Sequence, residues 1–238
     1  MRRDAFAALV QCGALLLIVA CVQLSLAPAL PTSAAQHLTL ARVRAANPLI
    51  ANAQPLARYR LDAAQSHFMV RTFSGGLLWF KGHDHFIVAR EFTGEAALTP
   101  TAITPATLTL TVRAASLTET RDVFTEQQKQ IINREINELV LESGKYPEIT
   151  FRSTQVTVNP KPDGFDVRLG GDLTLHGVTR HIQIPALVTL SGHDLHARGE
   201  FTINRSDYNV KATSAAHGTI RVRDKLKLSF DIIAHQEQ

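Results

Sequence analysis

Residues 165–190 read FDVRLGGDLTLHGVTRHIQIPALVTL, and their alternation decides the fold class. Phe165, Val167, Leu169, Leu173 and Leu175 recur at two-residue steps, with Asp166, Arg168, Asp172 and Thr174 between them. After the connection His176-Gly177-Val178-Thr179-Arg180 the pattern resumes as Ile182, Ile184, Ala186, Val188 and Leu190. A period of two puts one set on one face of a strand and the second set on the other. Two such runs around a short connection containing Gly predict a long β-hairpin with one apolar face.

The pattern spreads outward in both directions. Downstream, Leu195, Ala197, Gly199, Phe201 and Ile203 alternate, and Arg205-Ser206-Asp207-Tyr208 closes that strand. Residues 214–218 read as a loop before Ile220, Val222, Leu226, Leu228, Phe230 and Ile232. Upstream, Ile149 and Phe151 open a strand whose phase slips between Ser153 and Val156, the mark of a β-bulge. Ala106, Leu108, Leu110 and Val112 face one way and their threonine neighbours the other. Phe92 to Leu98 is a strand, and so is Ser66 to Phe73, where Phe68, Val70 and Thr72 oppose Met69, Arg71 and Phe73. Tyr59 and Leu61 begin the series.

One segment has a helical period instead. Val123, Phe124, Ile131, Ile132, Ile136, Leu139 and Val140 predict a helix over 121–140, capped by Thr118 or Thr120 and ended by Ser143-Gly144. Its apolar stripe has to pack on a barrel mouth or edge. Eight to ten amphipathic strands with one inserted helix predict an all-β, antiparallel barrel that closes its own edges.

A chain of 238 residues can hold one sizeable core. The net charge of +4 permits contact with an anionic surface, but no Lys or Arg run is interleaved with aromatics, so nucleic acid is not an expected partner. Both cysteines, Cys12 and Cys21, lie near the N-terminus, which leaves the rest without a disulfide or a cysteine nucleophile. Arg2 and Arg3 precede an apolar run from Ala5 to Val22, so residues 1–35 form a signal peptide or membrane anchor helix. Three outcomes stay open: cleavage near Ala29 or Ala35, an uncleaved anchor through residues 5–30, and lipidation at Cys21, which follows Leu17-Ile18-Val19-Ala20. Each places the folded part outside the cytoplasm, periplasmic or secreted. Residues 36–56 read as a linker, and residues 57–238 as the barrel domain.

No Gly-x-Ser-x-Gly elbow is present, Ser66-His67 adjacency gives no triad, and Gly75-Gly76 and Gly170-Gly171 lack the spacing of a phosphate loop. The most chemical triplet is His83-Asp84-His85. In an extended chain its two imidazoles share a side and could bind a metal, with His176, His181, His193, His196 or His217 as a third ligand. The bland reading is a polar turn; between the two, His83 or Asp84 could hydrogen-bond a ligand head at the barrel mouth. Arg205 and Asp207, two apart, would share a face if that segment were a strand.

Six pieces in order resemble the YceI-like family of periplasmic, lipocalin-like proteins. They are Tyr59-Arg60-Leu61-Asp62 with Ser66-His67-Phe68; Phe92-Thr93-Gly94-Glu95; Ala115-Ser116-Leu117; Tyr146-Pro147-Glu148-Ile149-Thr150-Phe151 with Ser153-Thr154; Gly171 to Arg180; and Phe201 to Tyr208. The chain departs from the common pattern at Trp79 to Phe86 and at Asn209, where a glycine is usual. The resemblance implies an eight-stranded antiparallel barrel whose apolar interior holds a polyisoprenoid or similar long-chain amphiphile. Candidate wall residues are Phe68, Val70, Leu108, Leu110, Leu173, Leu175, Ile184 and Phe201. The function expected is non-catalytic lipid binding or transport in the cell envelope. No cofactor is expected beyond a bound isoprenoid lipid or isoprenoid quinone. Membrane contact would run through the N-terminal segment if it is uncleaved or lipidated, and a homodimer is allowed. The alternatives are a metal-binding protein or metal-dependent enzyme using His83, Asp84 and His85, and an envelope protein with no small ligand.

Overall fold

A computed structural model describes residues 56–76, 82–215 and 220–237, all within the compact unit Ile50–Gln238. The targeting segment, most of the linker and Leu77 to Lys81 lie outside the described residues. In chain order the strands are β1 (Ala57–Leu61), β2 (His67–Thr72), β3 (Ser74–Gly75), β4 (His85–Ala89), β5 (Phe92–Leu98), β6 (Ala106–Arg113) and β7 (Leu117–Glu119). Helix α1 (Glu126–Glu135) follows, and then β8 (Glu148–Lys161), β9 (Gly164–Leu175), β10 (Val178–Ser191) and β11 (Asp194–Asn204). The chain ends with β12 (Ser214–Ala215), β13 (Ile220–Val222) and β14 (Lys225–Gln236). No helix among the described residues is long and apolar enough to cross a membrane.

The strands run β1-β5-β6-β8-β9-β10-β11-β14, and β14 pairs back onto β1, so the sheet closes. Every pairing in the ring is antiparallel between neighbours, as an up-and-down barrel requires. Strands β2, β4 and β7 prolong β1, β5 and β6 in the same direction: β14 continues from β1 onto β2, β2 pairs β4, and β4 pairs β7. The barrel therefore has eight staves, three of them interrupted at one level. Serines repair the interruptions. Ser66 Oγ accepts from Ile233 N at 3.0 Å and donates to Ile233 O, while Ser116 Oγ donates to Arg113 O at 2.7 Å.

The hairpin of residues 165–190 is tighter than its sequence suggested. His176 and Gly177 both have positive φ, 51° and 73°, which makes a two-residue type I′ turn. Strand β10 thus resumes at Val178 rather than Ile182, with Val178 opposite Leu175. A Cβ at Gly177 would stand 2.5 Å from the Tyr146 ring, so crowding adds to the backbone requirement. The expected bulge is the register shift between Ser153 and Gln155 on β8.

The helix starts later than its periodicity predicted. Thr125, not Thr118 or Thr120, is the cap, and it forms a capping box with Gln128. Thr118 lies in β7, and the Thr120 hydroxyl donates to Phe86 O at 2.9 Å. Asp122 and Val123 precede the helix, and a π-helical turn over Ile136–Val140 extends it. The helix fills a split in the wall. Strand β8 pairs β6 only as far as Glu148 opposite Arg113, which leaves the outer edge of β7 without a strand. There Glu119 N donates to Asn133 Oδ1 at 2.7 Å, so a helix side chain replaces a ladder partner.

Two further expectations are corrected. Residues 214 and 215 form β12 rather than a loop; with β13 and β3 it makes a small sheet at the same end as α1. Arg205–Tyr208 is a 3-10 turn, so Arg205 and Asp207 do not share a strand face. Arg205 Nη1 donates to Val210 O at 2.8 Å instead, and Asp207 Oδ2 accepts from Asn204.

Candidate functional site

The apolar faces of the staves enclose a cavity of about 210 Å³. Its wall includes seven of the eight residues selected from sequence: Phe68, Val70, Leu108, Leu110, Leu173, Ile184 and Phe201. Residues outside that selection complete it, among them Tyr59, Leu98, Val167 and Leu195 at one end and Leu117 and Phe151 toward the other. Phe68 meets Phe92 edge-on at 4.8 Å and lies 6.4 Å from Phe230. The rings narrow the lumen without filling it.

The eighth residue, Leu175, lines a second chamber of about 150 Å³ beneath α1. The two spaces share Val70 and Leu117 in their linings, so they are neighbours. The second chamber is roofed by Ile132, Ile136, Val140 and Leu141, which is where the inner half of the apolar stripe of the helix packs. Ile131 and Leu139 face outward and are more than half exposed. Unlike the barrel cavity, this chamber also presents Thr72, His85, Glu135, Arg205, Lys211 and Thr213.

The triplet His83-Asp84-His85 does not converge on one point. Asp84 pairs with Arg71 at 2.8 Å and accepts from Ser74 N. Burial pushes its carboxyl up, but the bonds from Arg71 and Ser74 N–H and the charges of Arg71 and Arg121 outweigh that and hold it below the usual 3.8. Both imidazoles face Phe124, with His85 stacked on it at 5.3 Å and His83 edge-on at 5.6 Å. His85 Nδ1 lies 2.7 Å from Glu119 Oε2. Glu119 has a wholly buried side chain, and its Oε1 accepts the backbone N–H groups of Phe86, Thr120 and Arg121.

The proposed third ligands lie elsewhere. His176 bonds Glu142, His181 bonds Asp172, His193 bonds Gln236 and His196 bonds Asp231. His217 lies outside the described residues. Among the described residues no group of three or more His, Cys, Asp or Glu stands close enough to hold a metal ion.

An up-and-down barrel with an apolar lumen and a helix over one end defines a lipocalin-like class. The chain belongs to the family described as the YceI-like domain, whose profile matches residues 59–234. Among curated relatives, Protein YceI of Escherichia coli is 38% identical over 79 residues, 30% of this chain and 38% of that protein. A UPF0312 protein of Pectobacterium atrosepticum is 34% identical over 84 residues, 35% of this chain and 36% of its own length. The alignments thus span well under half of those relatives. Among solved structures, BcnA of Burkholderia cenocepacia superposes with a TM-score of 0.56 at 17% identity, covering 73% of this chain and 98% of that one. A domain from Saccharophagus degradans, described as polyisoprenoid binding and implicated in plant cell wall breakdown, gives 0.53 at 18%, covering 76% and 99%. At these identities the structures speak for the fold.

Proposed function

We propose that this protein is a non-catalytic carrier of a polyisoprenoid or similar long-chain amphiphile, whose chain lies in the barrel lumen. The single observation that carries this reading is an interior cavity of about 210 Å³ whose lining is almost entirely aliphatic and aromatic. A lumen of this kind offers nothing to a polar substrate, whereas each methylene moved into it from water contributes about 0.8 kcal/mol. The polyisoprenoid-binding description of the Saccharophagus relative supports the same ligand class. The apolar run from Ala5 to Val22 behind Arg2 and Arg3 supports action in the cell envelope.

Native mass spectrometry of protein purified from an envelope fraction, followed by organic extraction, tests the proposal. A stoichiometric adduct that extracts as a long-chain lipid is the expected result. A bare mass, with no uptake of added long-chain isoprenoid, overturns it. Fractionation of cells tests the location, and recovery in the cytosol would oppose it.

A further inference from the structure

We propose that the α1 end of the barrel docks on an anionic lipid bilayer and exchanges its cargo there. This rests on the lipid-carrier reading and goes further by naming the surface that meets the membrane. Four large apolar side chains are exposed among the described residues. Three of them, Val123 at 53%, Ile131 at 52% and Leu139 at 64%, belong to the one connection between β7 and β8 that carries α1. Exposed apolar side chains gathered on one short segment exceed the single scatter that is normal on a protein surface. No residue of α1 or of the π-helical turn is fully buried, so the segment is laid on the barrel rather than set into it.

The chamber that this helix roofs is also lined by Lys211, Thr213, Val222 and Leu226, from the segment that holds β12 and β13. That flank carries the charge. From Lys211 to Lys225 the sequence has four cations, Lys211, Arg221, Arg223 and Lys225, all exposed, against the single acid Asp224. Asp224 is engaged by Ser206 Oγ at 2.8 Å and lies 3.9 Å from Arg205. Lys211 and Lys225 make no ion pair among the described residues. The helix itself is not basic, since Glu126, Glu135 and Glu138 outnumber Lys129 and Arg134. Its share in docking is apolar insertion, and the attraction to anionic head groups falls to the other flank.

A bilayer is the partner that suits an apolar flank and a cationic flank bordering one chamber. A long-chain lipid that crosses water exposes its whole chain, so a carrier gains most where the cavity comes up against the bilayer directly. Docking through both flanks sets that end of the barrel on the membrane. The chain enters the barrel at Ala57, opposite Leu98 at the end away from α1, so this surface is distinct from any N-terminal anchor.

The test loads the full chain with dansylated farnesol and follows its transfer to vesicles of phosphatidylcholine, alone or mixed with phosphatidylglycerol. Wild-type transfer is expected to run about tenfold faster to the anionic vesicles, with that gain lost at high salt. Ile131→Asp with Leu139→Asp should slow transfer to both kinds of vesicle. Arg221→Glu with Lys225→Glu should remove only the anionic gain. All four positions are exposed, and neither pair should change how tightly the probe is held in solution. Any N-terminal anchor is the same in every chain compared. Wild-type transfer indifferent to vesicle charge, or either variant pair transferring like the wild type, overturns the docking surface, and a probe still held leaves the carrier reading intact. A wild type that holds no probe defeats the carrier reading itself. A dimer in the absence of vesicles, dissolved by Ile131→Asp with Leu139→Asp, assigns the face to a second copy and also overturns the proposal. Should a double variant fail to fold, Leu139→Asp or Lys225→Glu alone takes its place.

Discussion

The two ends of the barrel are built on different plans. At one end β8 joins β9 through Pro162-Asp163, β10 joins β11 through Gly192-His193, and β5 joins β6 through residues 99–105. The core beneath them is sealed by Tyr59, Leu98, Ile103, Val167 and Leu195, all nearly inaccessible. At the other end only β9 and β10 are joined tightly. The longer connections, from β2 to β4, β7 to β8 and β11 to β14, lie there, and they bring Asp84, the helix and Arg205 to the mouth. Short turns have no spare backbone to place a side chain over a lumen, whereas long connections can carry polar groups there. Both ends are packed, and the covered end adds hydrogen bonds across a split wall to its own apolar cluster around Leu117, Leu141 and Tyr208.

That contrast can be broken from either side. The largest effect is expected from Glu119→Leu at the covered end. It takes the carboxylate partner from the Phe86 and Arg121 N–H groups and from His85 Nδ1, while Thr120 N keeps Phe86 O, and the loss should be about 3–5 kcal/mol, read from urea unfolding midpoints. Next comes Leu98→Ala at the closed end, where the side chain is 3% exposed. A cost of about 2–4 kcal/mol is expected there, with the lumen enlarged and lipid retention loosened rather than abolished.

Thr125→Ala removes the cap of α1 and should cost about 1 kcal/mol. Its sharper signature is kinetic: faster exchange of bound lipid without a change at the closed end, measured by off-rates and by amide exchange along α1. The smallest effect is expected at His235, which bonds Asp194 at 2.8 Å and Asp62 at 3.3 Å. The bond to Asp194 first, opposed by slight desolvation and aided by Asp62, raises the imidazole above its usual 6.5. Because the folded value exceeds the unfolded one, the stabilisation is present in full below 6.5 and is lost as pH rises through the raised value. Melting temperatures of His235→Gln and wild type should therefore differ at acidic pH and converge above neutrality.

The strands were readable because each has one face in the lumen and one in water, a local condition that leaves a period of two. The helix was readable as an element but not at its start. Val123 and Phe124 suit a helical stripe, yet Phe124 is spent on the two imidazoles, and Val123 lies outside the helix and is 53% exposed. The capping signature Thr125 to Gln128 was present in the sequence, but Thr118 and Thr120 stood nearer the apparent start of the period. The covered-end chamber was not readable. Thr72, His85, Glu119 and Arg205 come from four separate elements and share no spacing. Sequence drew attention to His85 only through its neighbours His83 and Asp84, and Asp84 turns to Arg71 while both imidazoles go to Phe124. Such a site exists only through the register of β2 with β4 and of β4 with β7.

The pairing of the first staves with the last also sets the order in which this molecule can be made. Tyr59 waits for Gln236 and Phe68 for Phe230, so the N-terminal staves keep one bare edge until nearly the whole domain has been synthesised. The other staves can zip up with the neighbour that precedes them, but closure is the most non-local event in the chain and the slowest to nucleate. Removal of residues 225–236 would take away the strand partner of β1, β2 and β11 and leave those edges unpaired. Unpaired margins of that kind, rather than the finished barrel, are where mispairing between chains would begin.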